Sequence, residues 1–263
     1  TGTGAIATLT QTNYFSNPDG NSGVSYSGSN QSINPLFVDN STDFRLTGYS
    51  PSRYISDVGT DIGALPYIDD PTPGLYGTLW DDLTLSGSNN MGGDFTVPQG
   101  VTLTLSPGAS VIASTSDIMA SHLDITKAEL RIEGSLVANG TLGEPITFES
   151  TSSGLGKWYG IHLLPSSTGT TFTHVEVKEA VTAITHEADE LVIYTNLAAH
   201  SSSYGMHIKG GSPLIDQSTF YNNSYGLYLS VDGSVIATNS IFRHNTYYGV
   251  YGTNSLDSAA IFD

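Results

Sequence analysis

The stretch Tyr159-Gly160-Ile161-His162-Leu163 returns as Tyr204-Gly205-Met206-His207-Ile208, as Tyr225-Gly226-Leu227-Tyr228-Leu229 and as Tyr248-Gly249-Val250-Tyr251-Gly252. A degenerate copy, Thr182-Ala183-Ile184-Thr185-His186, fills the gap after the first. Measured on the glycine, or on Ala183, the copies lie 23, 22, 21 and 23 residues apart. Five copies with so little drift mark stacked repeats. Each period carries a second apolar run, at 172–177, 191–197, 214–220 and 235–242, rich in β-branched and aromatic residues between Gly, Ser, Asn and Pro. Such runs read as strands. Short strands in a period of 21–23 residues make one rung of an all-β solenoid. Helical repeats would need a 3.6-residue periodicity that is absent. Alternation along the marker strand predicts that Ile161, Ile184, Met206, Leu227 and Val250 stack inward, and that the marker glycines, with His162, Thr185, His207, Tyr228 and Tyr251, face outward. Asn222 and Asn245, each four residues before its glycine, suit an asparagine ladder from rung to rung.

The composition narrows the partners. Of 263 residues, 8 are Lys or Arg and 25 are Asp or Glu, a net charge of −17. That balance argues against nucleic acid and anionic membranes, since nothing basic replaces phosphate counterions. Only 13% of residues are charged, unlike a disordered acidic tail. With no cysteine there is no disulfide framework, thiolate metal site or cysteine nucleophile. No apolar run approaches the roughly 20 residues of a membrane-spanning helix.

Before the repeats, Asp94 to Gly108, Leu130 to Thr141 and Pro145 to Phe148 alternate apolar and hydroxyl residues and read as wider coils of the same solenoid. The acidic, proline-rich Ile68-Asp-Asp-Pro-Thr-Pro-Gly74 reads as a linker. The expected organisation is closing coils of a preceding unit over 1–67, a linker over 68–78 and a β-helix over 79–263. An apolar final strand at 260–263 leads to the expectation of a piece of a longer chain, or of end-to-end self-association.

The run Val97-Pro-Gln-Gly-Val-Thr-Leu-Thr-Leu-Ser-Pro-Gly108 resembles the opening coil of right-handed parallel β-helix proteins of bacterial surfaces, in the pectate-lyase-like solenoid superfamily. So do Glu133-Gly-Ser-Leu-Val-Ala-Asn-Gly-Thr141, Pro145-Ile-Thr-Phe148 and Trp158-Tyr-Gly-Ile161. Asn34-Pro-Leu-Phe-Val-Asp39, Asp43-Phe-Arg-Leu46 and Asp61-Ile-Gly-Ala64 resemble the closing strands of another such domain, although Ser50-Pro-Ser-Arg-Tyr-Ile-Ser-Asp-Val-Gly59 departs from the family's usual closing segment. The resemblance implies a right-handed parallel β-helix and an extracellular or cell-surface location. It does not select an activity, because the fold carries lyases, hydrolases, adhesins and passive stalks.

Candidate chemistry falls into two groups. Tyr204, Tyr225, Tyr228, Tyr248, Tyr251 and His207 share the marker strands and form a candidate platform for a polysaccharide, since a phenol offers a sugar both an apolar face and a hydroxyl. Against this stands simple rung-on-rung packing. Asp81, Asp82, Glu187, Asp189 and Glu190 are clustered oxygen ligands, a candidate calcium site weighed against a solvated acidic face. Further clustered carboxylates are Asp69, Asp70, Glu176 and Glu179, and Asn17-Pro-Asp19-Gly-Asn21 resembles the start of a calcium loop but reads better as a turn. No other cofactor is expected. A lyase would use Lys178 or Lys209 as base, and a hydrolase a pair such as Glu176 with Glu187 or Asp216 with Asp232. His162 and His207, two rungs apart, are expected to be ordinary surface histidines rather than metal ligands. The leading expectation is a non-enzymatic surface or adhesive protein. A calcium-assisted polysaccharide lyase or hydrolase and a filament protomer are the alternatives.

Overall fold

The computed structural model describes residues 7–16, 24–28, 30–65, 67, 74–253 and the backbone of 260–262. It divides into two units, Thr1–Pro73 and Gly74–Asp263. The Asp69/Asp70 pair and the Asn17–Asn21 turn fall outside the described residues, as does most of the linker.

In the first unit, Ala7–Thr10 pairs in parallel with Val24–Ser27 and Asn13 bridges to Gln31, coil-like offsets of 17 and 18 residues. Phe37–Asp39 and Asp43–Leu46 form an antiparallel hairpin. Asp61 to Ala64, read as a strand from the sequence, is a succession of bends.

The second unit is a parallel β-helix, a 20-stranded sheet whose every pairing is parallel. It begins at Leu75–Thr78, inside the stretch assigned to the linker, because that strand pairs with Ser88–Val97. The first face then runs through Glu129–Ile132, Gly160–Leu163, Thr182–His186, Tyr204–Ile208, Tyr225–Leu229 and Tyr248–Gly252. The marker copies stack in the register of the sequence repeat: Ile161 lies opposite Ile184, Ile184 opposite Met206, Met206 opposite Leu227 and Leu227 opposite Val250. The first four of these five side chains are buried and Val250 is half-buried.

Each second apolar run is two strands bent around a corner. Residues 172–173 and 175–178 pair separately with 194–195 and 197–200, and the run then separates into Leu214–Asp216 and Thr219–Tyr221. The corner residues His174, Asn196, Gln217 and Asn239 all adopt φ between 49 and 54°, a left-handed conformation that asparagine tolerates better than most residues. A second left-handed corner, at Glu179, Ser201, Asn222 and His244, leads back to the first face.

At such corners the backbone N–H turns away from the sheet ladder and needs another acceptor. Side chains of the next rung supply it. Ala180 N–H donates to Ser202 Oγ, Ser202 N–H to Asn223 Oδ1 and Asn223 N–H to Asn245 Oδ1, at 3.0, 3.0 and 3.1 Å. The ladder therefore uses Asn223 rather than Asn222, which occupies the exposed left-handed corner one residue earlier. Ser218 and Ser240 repeat the device at the other corner. Asn223 Nδ2 also donates to Ala199 O, so Asn223→Leu leaves two buried backbone groups without partners. We expect a loss of about 2–4 kcal/mol in urea unfolding, against under about 1 kcal/mol for Asn222→Gly.

The marker glycines do not face outward as alternation predicted. A Cβ on Gly205 would lie 2.5 Å from Gly226 O, 2.8 Å from Asn223 Nδ2 and 3.0 Å from Phe220 Cδ1, all on the inner side. Glycine is required because the ladder and the next rung fill that space. With the alternation broken there, the residues just before and two after each glycine both project outward, as Tyr204 and His207 do with ring centres 5.9 Å apart.

Candidate functional site

The outer side of the first face carries two connected features, a tyrosine cluster over its last three rungs and a line of polar groups above it. In the cluster, one column stacks Tyr204 on Tyr225 at 5.1 Å and 12°, and Tyr225 on Tyr248 at 6.0 Å and 22°. A second column stacks Tyr228 on Tyr251 at 5.2 Å and 26°. Between columns the rings meet edge to face, Tyr225 with Tyr228 at 89° and Tyr204 with Tyr228 at 80°. These are the two arrangements the ring quadrupole favours, so part of each ring face is used within the cluster. His207 continues the second column, edge-on to Tyr228 at 4.8 Å. All six predicted platform residues are thus brought together. Sequence reasoning missed Tyr247, which packs on Tyr225 at 5.3 Å and is 64% exposed; its adjacency to Tyr248 was the available signal.

The hydroxyls of Tyr26, Tyr76, Tyr159 and Tyr221, outside the cluster, bond to no other described residue. Buried Tyr194 bonds to His186 Nδ1, and Tyr54 accepts from Arg53. In the cluster, none of the hydroxyls of Tyr204, Tyr225, Tyr228, Tyr247, Tyr248 and Tyr251 bonds to another described residue.

The polar line begins at Asp94, only 2% exposed. Its carboxyl accepts from Glu129 N–H at 2.8 Å and from Ser121 Oγ at 2.6 Å, while its own N–H donates to Asp117. Glu129, fully buried, bonds His162 Nδ1 at 3.0 Å. His162 Nε2 lies 3.3 Å from a Glu187 carboxylate oxygen, out of hydrogen-bond alignment. Glu187 in turn pairs with Lys209 at 3.2 Å. Burial raises Glu187, but Lys209 and His162 outweigh it and hold its carboxyl below the usual range. His162, expected at the surface, is 5% exposed because two carboxylates clasp it, and Thr185 in the same column is 2% exposed. The line ends beside His207, whose pKa burial and Lys209 push down to about 4, leaving it neutral at pH 7. His207 Nε2 contacts Ser230 Oγ at 2.8 Å.

Burial and the Asp117 and Glu129 carboxylates push Asp94 up to about 8. An acid bound more tightly to its proton when folded contributes stability that is complete below the unfolded value near 3.8 and lost as pH rises through about 8. Asp94→Asn keeps an acceptor for Glu129 N–H and removes that titration. The variant should flatten the decline between pH 4 and 8 and raise stability at pH 8 by about 1–2 kcal/mol in urea unfolding.

The acidic residues read as calcium ligands are dispersed. Asp82 accepts from Thr102 N–H at 2.8 Å, Glu190 accepts from Gly169 N–H at 3.2 Å, Asp81 and Asp189 are exposed, and Glu187 belongs to the polar line. Among the described residues no three His, Asp or Glu side chains converge as a metal site. Glu176 and Asp216, proposed for hydrolase pairs, bond other residues. Glu176 lies on another face, bonded to His200 at 2.8 Å and near Lys178, which pairs with Glu149 at 3.0 Å. Asp216 accepts from Thr238 and Asn239. That other face continues through Tyr221, stacked on His200 at 4.4 Å with Arg243 over its ring.

Residues 159–261 match the family model described as right handed beta helix region. The match begins at the first marker copy and covers every copy, so it spans the tyrosine cluster, and its description gives the hand of the coil. Searches of curated proteins and of solved structures gave no match.

Proposed function

We propose that this chain is an extracellular or cell-surface structural protein whose β-helix presents the tyrosine cluster to a polysaccharide. The observation that carries the reading is the ring lattice itself, six tyrosines in two stacked columns that recur rung by rung on one outer face. A polyhydroxylated partner uses both parts of such a surface, ring carbon for the apolar side of a sugar and phenol for its hydroxyls. Pre-organisation helps, because rings already locked by their neighbours lose little rotamer entropy on binding.

The lyase alternative calls for a cation acting as base near substrate-binding carboxylates. Burial lowers Lys178, on the other face, but Glu149 and Glu176 outweigh it and hold it protonated, and Lys209 is engaged by Glu187 at 3.2 Å, so neither is a free base. The reading is therefore binding rather than bond cleavage.

Affinity electrophoresis through gels containing single polysaccharides tests it. Retardation in at least one polymer is expected, with Tyr228→Ala/Tyr251→Ala weakening the apparent affinity by roughly tenfold or more. Retardation unchanged in the double variant would remove the tyrosine face from the account, and shortened polymer behind the band would replace the reading with an enzymatic one.

A further inference from the structure

Resting on that reading, we infer that the polymer is a neutral glycan, engaged along the helix axis across the last three rungs. The cluster itself carries no charge. Its members are six phenols and His207, and Lys209, whose charge reaches His207, is already paired with Glu187. Elsewhere in the β-helix unit Lys127, Arg131 and Lys178 each lie within 4 Å of a carboxylate, at 3.3, 3.0 and 3.0 Å. Arg243 lies over Tyr221 on a different face, and Lys157 stands two rungs before Tyr204. No lysine or arginine is left at the cluster to pair with a uronate or sulfate. The chain as a whole carries −17, so an anionic polymer meets repulsion with nothing in return.

The orientation follows from the two columns. Tyr204, Tyr225 and Tyr248 rise one rung at a time, as do His207, Tyr228 and Tyr251, and rungs repeat at about 4.8 Å. A pyranose ring is about as long as one rung is high, so a chain lying along the axis meets equivalent groups at successive sugars. A chain lying across the axis meets only one tyrosine pair.

The test uses the intact chain in affinity gels containing galactomannan, mixed-linkage β-glucan, polygalacturonate or alginate, at low and high salt and with and without calcium. The expected result is retardation by a neutral polymer that salt leaves unchanged, with apparent affinity for the acidic polymers lower by on the order of tenfold or more. Glu187→Gln, which releases Lys209 from its partner, is expected to raise retardation by polygalacturonate at low salt and to lose that gain at high salt. Retardation of the parent chain by polygalacturonate or alginate, weakened by salt or dependent on calcium, overturns the neutral assignment and leaves a glycan face standing. No retardation by any of the four overturns the glycan reading itself.

Discussion

Gly160→Ala is expected to leave little folded protein. Gly160 has φ of +125°, outside the range of L side chains, and a Cβ there would lie 1.6 Å from Thr182 O on the next rung. That oxygen cannot step aside. Thr182 donates its N–H to Tyr159 O at 2.9 Å and pairs in the sheet with Tyr204, so relief at Gly160 displaces two rung junctions. The cost should exceed about 4 kcal/mol, a large share of the roughly 5–15 kcal/mol that stabilises a domain. Gly143, with nothing within 4 Å of its added Cβ, is the control, and Gly143→Ala should change stability by under about 0.5 kcal/mol. Urea unfolding followed by far-ultraviolet circular dichroism measures both. A Gly160→Ala variant within 1 kcal/mol of the parent would contradict the rung spacing described above, since about 4 kcal/mol follows from it.

Tyr225→Ala should have the largest effect of any substitution in the cluster. Tyr225 touches Tyr204, Tyr228, Tyr247, Tyr248 and Tyr251, with ring centres 5.1–6.0 Å away. Each aromatic pair contributes about 0.5–1.5 kcal/mol beyond area, and the partial exposure of the cluster favours the low end, so a loss of about 2–3 kcal/mol is expected. Tyr247→Ala removes a single, mostly exposed contact and should cost under about 1 kcal/mol. Phenylalanine separates construction from recognition. Tyr228→Phe and Tyr251→Phe keep every ring contact and remove only hydroxyls that bond no described residue, so unfolding should be unchanged while polysaccharide retardation weakens. If both measurements were unchanged, the tyrosines would be rung packing alone.

The solenoid and its register were legible because each rung must bury the same columns as its neighbours, and chemistry that repeats in space repeats in sequence. Ile161, Ile184, Met206 and Leu227 occupy the inner column that periodicity assigned them. The direction of the glycines was not legible, because alternation assumes a regular strand and these strands bend where Asn223 and Asn245 fill the corner. Asn223 rather than Asn222 forms the ladder because the last turn is one residue longer. Ala180, Ser202 and Asn223 lie three residues before their markers and Asn245 lies four before Gly249, so a constant offset of four misplaces the ladder. The tyrosine cluster was visible for the same reason as the core, its members recurring rung by rung. The polar line was not. Asp94 and Glu129 meet across 35 residues, in wider coils that lie outside the repeat, and their partner Ser121 belongs to the segment between Ser110–Ala113 and Glu129–Ile132. No period connects such residues.

The most direct test is a crystal structure of the chain soaked with a neutral oligosaccharide drawn from the polymer that retards it. The account predicts successive sugar rings along the helix axis over Tyr204, Tyr225, Tyr228, Tyr248 and Tyr251, with phenol hydroxyls bonded to sugar oxygens. Sugar bound instead in the open hollow of about 270 Å³ beside His174, Glu176 and Asn196, with the tyrosine face bare, would contradict it.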